Sequence, residues 1–116
     1  MDLKSFYSNV GGDYDVMMTR MGKKEERIIK FLNKFTKDPS FENLKEALAA
    51  GNAEEAFRAA HTIKGVALNL ELMDLQASSG QLTDILRDGE IPGNAQEILA
   101  QVEKDYQKAT ECISQL

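Results

Sequence analysis

The stretch NAEEAFRAAHTIKGVALN, Asn52–Asn69, decides the fold. Turned at 100° per residue, its Ala56, Ala60, Ile63 and Ala67 fall on one stripe, with a 4-3-4-3 spacing that carries on to Leu70. Asn52 followed by Glu55 is the pattern of a capping box, which predicts a helix over about 53–69. A narrow stripe of small apolar residues is buried only against other helices. The segment therefore calls for a helical bundle around it.

The flanking sequence supplies the other helices. Downstream, Leu72, Leu75, Ser79, Leu82 and Leu86 repeat the pattern up to Gly89. Asn94 with Glu97 then predicts a second capping box, before a stripe of Leu99, Val102, Tyr106, Ala109, Ile113 and Leu116. Upstream, Phe41, Leu44, Ala47 and Leu48 lie between Pro39, which suits a first helical turn, and Gly51. Ile28, Phe31, Leu32 and Phe35 mark a helix before that, and Leu3, Phe6, Tyr7, Val10 and then Tyr14, Met17, Met18, Met21 mark two short pieces broken at Gly11-Gly12 and Gly22. The methionines read as core filler rather than a ligand set. No segment alternates like a strand. The expected fold is all-α: an antiparallel up-and-down four-helix bundle made by the last four long segments, with additional short N-terminal helices. We read 1–116 as one domain, with 1–22 an N-terminal helical cap and about 23–116 the helical bundle.

Composition narrows the function. A chain of 116 residues, 42% apolar and 28% charged, has the size of one domain that buries a core without disulfides or metals. The lone Cys112 forms no internal bridge, and the lone His61 excludes paired-histidine metal sites. Residues 1–38 carry eight basic and six acidic groups, while 39–116 carry six and thirteen, for a net charge of −5. A chain of pI 4.9 is a poor nucleic-acid binder. There is no apolar signal core and no run near the roughly 20 residues of a membrane span. These features lead us to expect a cytoplasmic protein; the chain's start, its caps and its finished C-terminal stripe favour a stand-alone one, with a monomer the simpler expectation.

His61 lies roughly 130° from the apolar stripe, on the solvent side of its helix. Lys64 and Gly65 stand one turn on, Leu68 two turns on and Phe57 one turn back, all on the same face. A mid-helix Gly costs about 1 kcal/mol relative to Ala. Either Gly65 permits close helix packing, or it clears space for a partner to approach His61. Lys64 is either solvated or placed to meet an anion on the ring. Antiparallel pairing brings Gly80 and Thr83 level with His61, where the Thr83 hydroxyl is expected to orient the imidazole. The other reading of Ser78-Ser79-Gly80 is a close helix contact.

Ala60-His61-Thr62-Ile63-Lys64-Gly65 resembles the A-H-x-[LI]-K-G signature of histidine-containing phosphotransfer (HPt) domains, and Leu44…Ala47-Leu48…Gly51 before it resembles their approach to the active helix. The motif resemblance covers about residues 42–90, and the helix layout extends it to the whole chain. It implies a bundle whose exposed His61 takes a phosphoryl group from a receiver-domain aspartate and passes it to another receiver, in a multistep two-component phosphorelay. It further implies that Lys64 supports the phosphoryl oxygens and Gly65 gives clearance, with partners among response regulators and hybrid sensor histidine kinases. Many members have Gly where Glu71 stands, small residues near Leu68, and some have Gln at Thr83.

The chemistry suits these residues. Imidazole offers a neutral nitrogen nucleophile near neutral pH, and the phosphoryl group in flight asks for cationic support. Only Glu54, almost two turns away, is a carboxylate on the face of His61. The Mg²⁺ of such a transfer is therefore expected from the partner, with no cofactor bound here and the domain a carrier rather than an enzyme. Two rivals stand beside this reading. One is an adaptor that is never phosphorylated and binds signalling partners through Phe57 and Leu68. The other is a general-base enzyme, against which stands the lack of Ser, Cys or Asp three or four residues from His61.

Overall fold

The computed structural model describes residues 1–116 as seven helices: α1 (Leu3–Asn9), α2 (Tyr14–Arg20), α3 (Glu25–Phe35), α4 (Ser40–Ala49), α5 (Ala53–Asn69), α6 (Met73–Leu86) and α7 (Ala95–Ser114). Local chemistry sets several starts. Asp2, Asp13 and Asn52 each offer a side-chain oxygen to the backbone N–H three residues on, at 2.8, 3.1 and 3.1 Å. The box at Asn52 is only half formed, because the Glu55 carboxylate turns to Arg58 at 3.0 Å. At Asn94 no side-chain cap forms. Its ψ of 4° continues the turn from Pro92, and the extended backbone that aims a capping side chain is missing.

The bundle is built by neighbours in sequence. α5 packs between α4 and α6, and α6 between α5 and α7. The ring closes through Tyr106 of α7, whose ring stacks on Phe41 of α4 at 4.4 Å and meets Phe35 of α3 at 5.6 Å. Lys45 and Glu103 add an ion pair across the same seam at 3.8 Å. One continuous core includes residues of all seven helices, in a body of 42 × 22 × 20 Å. The fold is all-α, as its periodicity predicts.

Flanked on both sides, α6 buries more than one stripe. Ser78, Ser79 and Thr83 lie inside with Leu75 and Leu82, and their hydroxyls donate to carbonyls of their own helix. Elsewhere the expected stripes shift slightly. Ile98, not Leu99, is the deeper residue of α7, and Phe31 leaves the α3 stripe of Ile28, Leu32 and Phe35 to stand 38% exposed.

The N-terminal helices sit over the α5–α6 turn. Glu71 adopts a left-handed φ of 59° there, a conformation that usually calls for Gly. Five contacts hold it. The Tyr7 hydroxyl donates to the Leu70 carbonyl at 3.0 Å, and the Asp74 N–H to the Val10 carbonyl at 3.1 Å. The Arg20 guanidinium donates to the carbonyls of Leu68 and Asn69 at 3.1 and 2.6 Å, and stands 3.8 Å from the Glu71 carboxylate. The Leu68 carbonyl also accepts the Glu71 N–H at 3.3 Å, whereas that of Asn69 is an acceptor that the helix end leaves open. Gly12 lies so close that a Cβ on it would stand 2.0 Å from the Glu71 carbonyl oxygen.

Burial drives the Tyr7 phenol well above its ordinary range, the Glu71 charge adds to this, and Arg20 opposes it. The group therefore stabilises the fold fully below the unfolded value of about 10, and that contribution is lost as pH rises through the higher folded value. Tyr7→Phe is expected to cost about 1–2 kcal/mol at neutral pH and to flatten the fall in stability above about pH 10. Urea titrations of both proteins at neutral and alkaline pH measure this.

Candidate functional site

The alanine stripe of α5 faces inward, with Ala56, Ala60 and Ala67 fully buried and Ile63 nearly so. Its opposite face is thereby turned outward, and His61 is exposed on it. The imidazole stacks on the ring of Phe57, one turn earlier, at 5.9 Å between centroids and 6° between planes. Phe57, half-buried, is in turn capped by Arg87, whose guanidinium carbon lies 5.6 Å from the ring centre. Parallel stacking fixes the plane of the imidazole without using either ring nitrogen.

The cations of this face differ in how far they are committed. Arg58 is held by Glu54 and Glu55, each at 3.0 Å. Arg87 pairs with Asp84 at 3.1 Å. Lys64 pairs with no carboxylate, and its stem lies across α6 at Gly80, where a Cβ would stand 3.5 Å from its Cδ and Cε. Lys64 is thus the uncommitted charge one turn from His61. The same pairs occupy Glu54, the one carboxylate that α5 itself brings to this face. No group of three His, Cys, Asp or Glu side chains anywhere in the chain is placed to hold a metal ion.

Gly65 has nothing within 4 Å of where a Cβ would stand. The reading of Gly65 as a close helix contact therefore fails, since it opens onto solvent beside His61. Leu68 is 46% exposed on the same face. Two sequence expectations need correcting. Thr83 is fully buried, and its hydroxyl donates to the Ser79 carbonyl at 2.7 Å, so it does not orient the imidazole. A buried hydroxyl takes the nearest acceptor, which in a helix is the carbonyl four residues back. Gly80 meets the Lys64 stem and not the ring. Arg87 escaped the sequence reading. Its signal was register, because antiparallel pairing that sets His61 beside Gly80 brings the end of α6 up to Phe57.

A helical bundle that displays one histidine from mid-helix, backed by an aromatic ring and an unpaired lysine, has the form of a phosphoryl-carrier module. The family model for the Hpt domain matches residues 37–113, and the chain belongs to that family. No curated protein and no solved structure matches the chain. Hpt domains serve histidine phosphotransfer in phosphorelays and interact with receiver domains of two-component systems. The matched residues span α4 to most of α7, so α1, α2 and α3 lie outside the match.

The open space at Gly65 has a measurable consequence. Gly65→Ala is expected to stabilise the protein by about 1 kcal/mol, the helix-propensity gain, with no packing penalty. A loss of stability in chemical denaturation would show that Gly65 is packed after all.

Proposed function

We propose that His61 is the phosphoryl carrier of a multistep phosphorelay, loaded from an aspartyl phosphate on one receiver domain and unloaded onto the aspartate of another. The observation that carries this is the exposed imidazole stacked on Phe57, with Lys64 as the unpaired cation beside it. In the forward step a ring nitrogen of neutral His61 attacks phosphorus. The N–P bond forms as the P–O bond to the aspartyl carboxylate breaks, the carboxylate leaves, and the proton on the other ring nitrogen passes to solvent. The return step reverses these bonds on the second receiver.

Each neighbour has a role in this reading. Phe57 holds the ring plane, so the nucleophilic nitrogen meets the phosphoryl group without a search over ring orientations. Lys64 reaches the phosphoryl oxygens, where negative charge is spread during transfer. Gly80 gives the Lys64 stem a flat bed. Gly65 leaves the clearance a receiver needs, and Leu68 with Phe57 supplies apolar docking area. Arg87 acts through Phe57, and Thr83 has no part.

The acidic pocket and Mg²⁺ belong to the receiver in this reading, and the chain is a carrier and substrate rather than an enzyme. A single copy suffices for the transfer. No helix is long and apolar enough to cross a membrane; in this reading the transfer takes place in the cytoplasm.

Incubation with a phosphorylated receiver and Mg²⁺ is expected to yield acid-labile, alkali-stable phosphate on the chain. His61→Gln is expected to abolish it. Transfer that survives the substitution, or none from any receiver of the source organism, overturns the reading in favour of an adaptor that is never phosphorylated. Lys64→Ala is expected to slow transfer by about 10- to 100-fold, the cost of one missing charge at the transferring group, with helix content unchanged by circular dichroism. An unaltered rate removes Lys64 from the mechanism.

A further inference from the structure

The net charge of −5 conceals a basic segment: residues 20–37 hold seven basic side chains and two acidic ones. Six of these, Lys23, Lys24, Arg27, Lys30, Lys34 and Lys37, lie on or beside α3, and none pairs with a carboxylate. Of the two acids, Glu25 accepts a hydrogen bond from the Tyr14 hydroxyl. At helical spacing Arg27, Lys30 and Lys34 share one face of α3, and Phe31 stands at its border with the buried stripe. Phe31 is 38% exposed. Beside it runs a groove of about 440 Å³, walled by Met21, Phe31, Phe35, Val66 and Leu70 and flanked by Arg20, Lys34 and Asp38. The Asp38 carboxylate is engaged by the Ser40 N–H at 2.8 Å. Arg20 is fixed by its bonds to the end of α5, which leaves Lys34 as the free cation at the groove.

We propose that this groove and the basic face of α3 form a second docking surface, for an acidic amphipathic helix of a partner protein. An apolar side chain of that helix fills the groove, and its carboxylates meet Arg27, Lys30 and Lys34. Charge complementarity selects the occupant's sign, and the recessed apolar area selects its kind. A bilayer takes up protruding apolar side chains, whereas Met21, Phe35, Val66 and Leu70 here line a recess. Nucleic acid would satisfy the charges but bring no apolar side chain to fill the groove. A second copy's α3 would be repelled.

The surface is separate from the phosphotransfer site. It meets α5 through Val66 and Asn69 on one flank, while Lys64 lies against α6 on the other. None of His61, Phe57, Lys64, Gly65 or Leu68 lines the groove. α3 also lies outside the family match over residues 37–113, so the bundle common to the family does not account for it. The inference does not depend on His61 being phosphorylated.

Fluorescence anisotropy of the intact chain with labelled synthetic peptides tests it, using a panel of acidic helical peptides with Leu or Phe along one face. Binding is expected, weakening as salt is raised. Phe31→Asp and the double change Lys30→Glu with Lys34→Glu are each expected to weaken it by about tenfold or more, while His61→Gln leaves it unchanged. Circular dichroism of each variant checks that the helices persist. The proposal is overturned by any of four results. No peptide of the panel binds. Binding ignores the α3 substitutions or is lost in His61→Gln. Peptides with Ser in place of Leu and Phe bind as well, which reduces the effect to charge. Phosphatidylglycerol–phosphatidylcholine vesicles or duplex DNA bind more tightly through the same residues, which reassigns the face to a membrane or to nucleic acid.

Discussion

The close approach of α5 to its neighbours is the constraint from which the rest follows. Ala56, Ala59, Ala60 and Ala67 present almost no side-chain bulk on the inner face, so α4 and α6 pack tightly against the α5 backbone. Burying that face leaves the other one bare, and His61 is on it. Larger residues on the stripe would hold the helices apart and disturb the register that lays Lys64 across Gly80. The site is a by-product of good packing on the far side of one helix, which is why it needs no cavity of its own.

The same helix needs an anchored end. The turn's own N–H groups take the carbonyls of Val66, Ala67 and Leu68, but those of Asn69 and Leu70 need outside donors, and Glu71 takes the left-handed conformation without being Gly. A non-Gly residue in that region stores about 1 kcal/mol or more of strain unless its surroundings hold it there. Arg20, Tyr7 and the Gly12 backbone supply that hold from the N-terminal helices. Where a Gly would turn freely, this chain uses a clamp. The N-terminal helices thereby earn their place in the fold although they lie outside the family match.

Much of this was legible in the sequence, because helical periodicity and exposure are properties of one helix at a time. The bounds of α5, the inward alanine stripe and the outward His61 all follow from rotation by 100° per residue. What failed depended on two helices or on backbone angles. Thr83 was read from its level along α6, but level does not say which way a side chain points once both flanks of that helix are covered. Asn94 has the right residue type for a cap and the wrong ψ. Gly65 and Gly80 look alike in sequence, and only their surroundings separate them: one faces open space and the other a lysine stem. Arg87 needed the same inter-helix register, read one turn further.

Sorting cations by commitment separates the sites more sharply than counting them does. Arg58 and Arg87 are the stronger hydrogen-bond donors near His61, yet each already serves a carboxylate of its own helix segment. An incoming phosphoryl group would have to compete for them. Lys64 carries no such cost, and a lysine, as a point charge on a flexible stem, follows an anion that arrives and departs. Bidentate arginine would hold a phosphoryl group more firmly. In the proposed transfer, where the carrier must give up what it accepts, the weaker and freer cation is the better neighbour; the arrangement at His61 would then favour passing the group on over keeping it.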